Sequence, residues 1–207
     1  YLLYVPSSYT AGTPVALLLA FHGGGGNPQS QMETSQLNGL ADQVGCLVAY
    51  PQGTGVLPKV NTWNGGACCG SASSQQVDDV TFVRMLIEDV TTAFTVDADR
   101  IYATGLSNGA ILSHRLACQL ADRIAAIAPI AGGLNLGGDF PACTPSREIS
   151  VLAFHGTTDD NYPYAGGVGP DGPSGVNFAP IPSTVLDWVT RNALPDTSKH
   201  ITYQQGI

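Results

Sequence analysis

Short apolar runs, each followed by a loop of small residues, recur along the chain. Val15–Phe21 ends at a histidine and four consecutive glycines, and Cys46–Tyr50 ends at a Pro-Gln-Gly segment. Three later runs follow the same plan, namely Ile101–Thr104, Ile124–Ile130 and Val151–Phe154. Because these runs are apolar on both faces, they predict parallel strands buried between helices.

Between these runs, apolar residues recur at helical spacing. The pattern predicts helices over Ala110–Ala117, Val80–Phe94 and Ser183–Leu194. We interpret Asp78 and Asp79, which precede the second of these, as groups that cap the helix and complement its dipole. The alternation predicts a single α/β domain, with a doubly wound, mostly parallel sheet and helices on both faces.

Composition limits the classes of function. The chain has 207 residues, 43% of them hydrophobic and only 12% charged, which suits one compact, loop-rich domain. Its net charge of −8 argues against nucleic acid and anionic membrane as partners. No apolar stretch approaches the roughly 18 residues of a membrane helix. Because the chain starts inside a predicted strand, Tyr1–Val5, we expect the domain to be incomplete at its N-terminus.

The most informative motif is Gly-Leu-Ser-Asn-Gly at residues 105–109, between a predicted strand and a predicted helix. A G-x-S-x-G motif in this context indicates a tight turn that exposes a nucleophilic serine, here Ser107. Gly105 and Gly109 supply the room that such a turn requires. A simple turn of small residues is the alternative interpretation.

The same fold predicts donors for an oxyanion. One is the backbone N–H of Asn108, the residue after the nucleophile, and the other comes from the glycine loop after an earlier strand. We assign the second donor to Gly24. His22 precedes the serine in the chain, and we interpret it as a brace for this loop rather than as the base.

The carboxylate of a catalytic triad follows the serine in this fold. Asp159 and Asp160 come shortly after the predicted strand Val151–Phe154. We choose Asp159 as the residue that orients a histidine, with Asp160 as the alternative; a turn built on aspartate side chains would explain both without catalysis.

The five cysteines show no metal-ligand spacing, and no cofactor is predicted. We expect a disulfide between Cys118 and Cys143, which would imply an oxidising compartment. Cys46 is interpreted as a buried free thiol. For adjacent Cys68 and Cys69, we expect pairing outside the chain or a reduced state.

Several segments together resemble the secreted feruloyl esterases and polyhydroxybutyrate depolymerase-like esterases of the α/β-hydrolase superfamily. They are the elbow at 105–109 and the segments His22–Asn27, Trp63–Gly70, Val77–Val80, His155–Asp159 and Tyr162–Gly167. The resemblance implies one α/β-hydrolase domain over residues 1–207, with Ser107 as nucleophile and Asp159 as triad acid.

The catalytic histidine is where the chain departs from that family. The family's Gly-His-x-Trp-Pro-like segment is absent, and only His200 follows Asp159. His200 would enter a strand rather than follow one, and His114 lies two helical turns beyond Ser107. We therefore expect the histidine beyond Ile207, in a domain incomplete at its C-terminus, with His200 as the alternative.

The resemblance implies a secreted serine esterase that acts on feruloyl or related esters of plant cell-wall polysaccharide. A polyhydroxybutyrate depolymerase, an acetylxylan esterase and a serine peptidase are alternatives, as is a non-catalytic polymer-binding protein that lacks the base. The expected partner is a small or polymeric ester substrate, and the oligomeric state stays open. Trp63, Tyr162 and Tyr164 are candidates for an aromatic wall, whereas Trp188 is interpreted as core.

Overall fold

The structure is a computed structural model that describes residues 1–57, 60–135, 142–173 and 175–195. Within these ranges, the strands are β1 (Leu2–Tyr4), β2 (Val15–Phe21), β3 (Leu47–Tyr50), β4 (Thr54–Leu57), β5 (Val60–Thr62), β6 (Val96–Leu106), β7 (Ala126–Ile130) and β8 (Ser150–Val151). The helices are α1 (Pro28–Ser35), α2 (Leu37–Val44), α3 (Gly70–Ser74), α4 (Asp79–Ala93), α5 (Asn108–Gln119) and α6 (Ile181–Arg191).

The main sheet of the described chain has six strands in the order β1-β3-β2-β6-β7-β8. β1 runs antiparallel to β3, and every other neighbouring pair is parallel. β4 and β5 form a separate antiparallel hairpin. Because the carboxyl ends of β2, β6 and β7 lie at one edge, the loops that follow them meet there.

Alternate residues of β2 pack into two cores on opposite faces of the sheet. Leu17, Leu19 and Phe21 belong to the larger core, to which α4, α5 and α6 contribute. Ala16 and Ala20 belong to a smaller core beside α1 and α2. Helices therefore cover both faces, which confirms the predicted doubly wound α/β architecture. No helix in the described ranges combines the length and hydropathy that a membrane span requires.

The two aspartates at the start of α4 differ in role. The Asp78 carboxylate accepts the Thr81 N–H at 3.0 Å and caps the helix, as predicted. Asp79 is buried, and its carboxylate accepts the Asn64 N–H at 2.7 Å. The capping interpretation is therefore wrong for the Asp79 side chain, because its partner belongs to a distant loop rather than to its own helix.

The cysteines divide into two pairs and one free thiol. Cys118 in α5 is bonded to Cys143, with 4.8 Å between their Cα atoms, which confirms the predicted disulfide. Cys46 is free and buried, also as predicted. Cys68 is bonded to Cys69. The expectation that these two pair outside the chain or stay reduced is therefore wrong.

We expect the double variant Cys118→Ala/Cys143→Ala to lose stability. The disulfide closes a segment with a sequence separation of 25. A loop of that size constrains the unfolded chain enough to predict a loss of about 3 kcal/mol in the free energy of unfolding. Urea unfolding of both proteins measures the difference, and Cys46→Ala serves as a control that removes a buried thiol without a crosslink. A double variant as stable as the parent protein would contradict the expectation.

Candidate active site

Ser107 lies at the junction between β6 and α5, where the backbone turns sharply. Its φ of 52° and ψ of −115° are unusual for a residue with a side chain. Its backbone N–H donates to the Ile130 carbonyl at the end of β7, at 2.8 Å, which fixes the turn against the sheet. A strained serine between a strand and a helix is the geometry of a nucleophile elbow.

The glycines on either side of Ser107 are required by close backbone contacts. A β-carbon at Gly109 would lie 2.5 Å from the Phe21 carbonyl oxygen and 2.6 Å from that of His22. One at Gly105 would overlap the Gly109 backbone. The predicted need for space at both positions is confirmed. Gly132, which the sequence analysis did not single out, is equally constrained, because its β-carbon would lie 2.6 Å from the Ser107 carbonyl oxygen.

The two predicted oxyanion donors lie next to each other beside Ser107. Gly24, Ser107 and Asn108 line one cavity of about 380 Å³. A β-carbon built on Gly24 would lie 3.7 Å from the Asn108 Cβ. As the first residue of α5, Asn108 has a backbone N–H that no carbonyl of the helix accepts. The positive end of the helix dipole therefore faces the place where negative charge would develop.

His22 braces the glycine loop, as predicted. Its Nε2 accepts the Gly53 N–H at 3.1 Å, so its Nδ1 carries the proton and donates to the Gly23 carbonyl at 2.8 Å. Burial lowers the pKa of His22, which keeps the ring neutral in this role.

Trp63 holds together the two sides of the oxyanion region, which we define as the glycine loop that carries Gly24 and the start of α5 at Asn108. Its backbone N–H donates to the Asn108 side-chain oxygen at 2.6 Å, and its carbonyl accepts from the Asn108 amide nitrogen at 2.9 Å. Its indole N–H donates to the His22 carbonyl at 2.9 Å. Because the Trp63 side chain is fully buried, the prediction that it walls the substrate pocket is wrong. The sequence carried no signal for these contacts, which join residues 41 and 45 positions apart.

Asp159 comes after β8, which is shorter than the predicted strand Val151–Phe154, and after Phe154, which forms an isolated bridge to Ile130. One carboxylate oxygen accepts the backbone N–H groups of Asn161 and Tyr162, each at 2.9 Å. These two donors also line the cavity beside Ser107. The turn that holds the Asp159 carboxylate therefore adjoins the cavity, whereas the alternative residue, Asp160, is exposed.

The histidines of the described chain all have other partners than Ser107. His114 is buried and accepts the Trp188 indole N–H at 3.0 Å, and burial lowers its pKa to about 3. His155 Nε2 lies 2.8 Å from the Tyr162 carbonyl and 3.5 Å from an Asp159 carboxylate oxygen. His200 lies outside the described residues. The described residues therefore place the predicted nucleophile and the predicted oxyanion donors around one cavity, with the predicted acid in a turn at its border and no histidine bonded to Ser107.

Aromatic rings form one wall of the cavity, but not the full predicted set. Tyr162 stacks on Phe178 with 4.1 Å between ring centroids, and both line the cavity with Ile111. The sequence analysis missed Phe178. Tyr164 is not among the lining residues. Trp188 packs against His114 on the inner side of α6, which confirms its interpretation as core.

A larger cavity of about 720 Å³ lies between β8 and α6. None of the candidate catalytic residues lines it. Cavity volume alone would therefore select the wrong cavity. The smaller cavity at Ser107 is the candidate site because the predicted catalytic residues line it or adjoin it.

Comparison with known proteins agrees with this geometry. Residues 1–149 match the family described as Esterase PHB depolymerase. Feruloyl esterase B of Piromyces equi is 38% identical over 79% of this chain and 30% of its own length. The bifunctional acetylxylan esterase/xylanase XynS20E of Neocallimastix patriciarum is 31% identical over 76% of this chain and 21% of its own length. The probable feruloyl esterase C of Aspergillus niger is 29% identical over 81% and 57%. The chain thus spans less than two thirds of each relative.

Two solved structures share the fold. A thermostable esterase superposes with a TM-score of 0.61 at 20% identity, covering 92% of this chain and 46% of that protein. The acetyl xylan esterase of Aspergillus awamori gives a TM-score of 0.53 at 18% identity, covering 63% and 46%. These similarities confirm the predicted α/β-hydrolase fold.

Proposed function

We propose that this chain, which belongs to the esterase PHB depolymerase family, hydrolyses carboxylic esters through an acyl-enzyme on Ser107. The observation that carries the proposal is the strained backbone of Ser107, with a φ of 52°, beside the Gly24 and Asn108 backbone in one cavity. A turn of small residues without catalytic purpose would not require a serine in this conformation.

The chemistry follows from the positions of these groups. The Ser107 oxygen attacks the ester carbonyl carbon while a histidine takes the hydroxyl proton, and the Gly24 and Asn108 N–H groups stabilise the oxyanion. The alcohol leaves with that proton, and water then cleaves the acyl-serine bond and restores the hydroxyl. Asp159 orients that histidine, which we place outside the described residues.

The substrate we propose is a feruloyl or related ester of plant cell-wall polysaccharide. Of the relatives reported above, two are named feruloyl esterases and one is named an acetylxylan esterase, which supports this class. The stacked rings of Tyr162 and Phe178 offer an apolar surface to a flat acyl group. Acetylxylan and hydroxybutyrate esters are the alternatives within the same chemistry.

We also propose that the protein is secreted. The Cys118–Cys143 disulfide supports this, because such bonds persist in oxidising compartments. A polymeric substrate outside the cell is consistent with that location.

A panel of substrates tests the proposed function. Methyl ferulate, p-nitrophenyl acetate, a 3-hydroxybutyrate trimer and the amide of ferulic acid are offered to the purified protein. We expect hydrolysis of esters but not of the amide, with the highest kcat/KM on methyl ferulate. Preference for the trimer would indicate a depolymerase, and cleavage of the amide a peptidase. A folded protein that binds xylan but hydrolyses no ester would support the non-catalytic alternative and overturn the proposal.

A further inference from the structure

A buried carboxylate holds the backbone next to Trp63. Asp79 is 2% exposed, and its Oδ2 accepts the backbone N–H of Asn64 at 2.7 Å. On the other side of the same residue, the Arg115 guanidinium donates to the Asn64 carbonyl at 2.7 Å. Charged side chains of opposite sign therefore hold both polar backbone groups of Asn64, which is a stronger restraint than neutral hydrogen bonds provide.

This restraint is one residue away from the oxyanion region. Asn64 follows Trp63, whose backbone bonds the Asn108 side chain and whose indole bonds the His22 carbonyl. Asn108 and Arg115 lie two turns apart on α5, so this helix holds Trp63 at one point and Asn64 at the other. A shift of the Asn64 backbone would therefore move the residue that sets the spacing between the Asn108 and Gly24 donors.

Helix capping does not explain why a buried carboxylate is present at position 79, because Asp78 already caps α4 through the Thr81 N–H. The negative charge of Asp79 does not stabilise the fold relative to the protonated form either. Burial raises the pKa of Asp79 to about 6, with a contribution from Asp78, although the Asn64 N–H and Arg115 lower it. Because the folded state holds the proton more tightly than the unfolded state, ionisation of Asp79 as the pH rises towards 6 lowers the free energy of unfolding.

We propose that Asp79 is a positioning residue for the oxyanion hole, acting through Asn64 and Trp63 on the backbone donors of Asn108 and Gly24. The proposal rests on the proposed esterase function. Asp79 touches no reacting atom, and its effect is to hold the two donors at the distance that the tetrahedral oxyanion requires.

The test compares Asp79→Asn with the neighbouring variant Asp78→Asn. Asparagine keeps the size of the buried side chain but removes the charge that holds the Asn64 N–H. Loss of an entire oxyanion donor costs about 100- to 1,000-fold in kcat, so displaced donors should cost about 10- to 100-fold. We expect this loss in kcat for p-nitrophenyl acetate in Asp79→Asn, with little change in KM. Asp78→Asn should match the parent protein, because asparagine caps helices as well as aspartate does.

Hydrogen exchange of backbone and indole N–H groups, measured by NMR, provides a readout that does not depend on turnover. In Asp79→Asn, we expect the Asn64 backbone N–H and the Trp63 indole N–H to lose about tenfold or more of their protection, while the Leu19 and Ala103 amides in the sheet keep theirs. Asp78→Asn should keep protection at all four sites. Full protection at Asn64 and Trp63, or an unchanged kcat in Asp79→Asn, would overturn the proposal.

The two proposals fail in different ways. A parent protein that hydrolyses no ester overturns the proposed function, while the exchange measurement still decides whether Asp79 positions Trp63. Should Asp79→Asn not fold, Arg115→Gln provides a second test, because it removes the guanidinium that holds the Asn64 carbonyl. A lowered kcat and lost Trp63 protection in Arg115→Gln would support the proposal, and parent-like values for both would overturn it.

Discussion

Replacement of Ser107 by alanine is expected to abolish ester hydrolysis. In serine hydrolases, removal of the nucleophile lowers kcat by about 10⁶-fold, because the remaining donors cannot replace the covalent step. We expect at least about a 10⁴-fold loss in kcat on p-nitrophenyl acetate, measured by release of p-nitrophenol. Alanine lacks only the hydroxyl, so the circular dichroism spectrum and Tm should stay close to those of the parent protein.

The circular dichroism spectrum and Tm of Ser107→Ala distinguish a loss of catalysis from a loss of folding. A folded Ser107→Ala variant with more than about one per cent of the parent activity would show that another group performs the attack, since the residual catalysis without a nucleophile is far smaller. A variant that does not fold would show instead that the hydroxyl stabilises the elbow.

Replacement of Asp159 by asparagine is expected to have the second-largest effect, a loss of about 10⁴-fold in kcat. The amide keeps the shape of the side chain, but it does not hold the histidine in the tautomer that accepts the serine proton. The measurement is kcat on p-nitrophenyl acetate. The Asn161 and Tyr162 N–H bonds to position 159 can persist with the amide oxygen, so the turn should be retained.

Asp160→Asn is the matched control. Asp160 is exposed and adjacent, so its variant should keep nearly the full kcat. The reverse result, with Asp160→Asn inactive and Asp159→Asn active, would reassign the triad acid to Asp160. Loss of activity in both variants would indicate that the turn as a whole, rather than one carboxylate, matters.

The strands buried on both faces were predictable because their composition is distinctive. The bounds of β2 agree with the predicted Val15–Phe21. β6 is longer than the predicted Ile101–Thr104, because it begins at Val96, which pairs with Val15, and then passes through exposed residues at a register shift before Ile101 pairs with Leu17. The helix α1 was missed because its residues are polar; an Asn27–Ser30 capping box marks its start instead of an apolar pattern.

The candidate site was predictable where a single short motif defines the geometry. The structure places Ser107, Asn108 and Gly24 around one cavity and sets Asp159 in a turn at its border. Their catalytic roles stay predictions. The contacts that hold these residues in place were not predictable, because Trp63 and Asp79 bond to residues that lie far from them in sequence. Such contacts leave no local pattern in a single chain.

The most direct test of the central claim is the intact mass of the protein after exposure to a fluorophosphonate. An activated serine oxygen displaces fluoride at phosphorus, so the account predicts one covalent adduct on the parent protein and none on Ser107→Ala. A folded parent protein without an adduct would show that no base activates Ser107, and an adduct that persists in Ser107→Ala would contradict the assignment of Ser107 as the nucleophile.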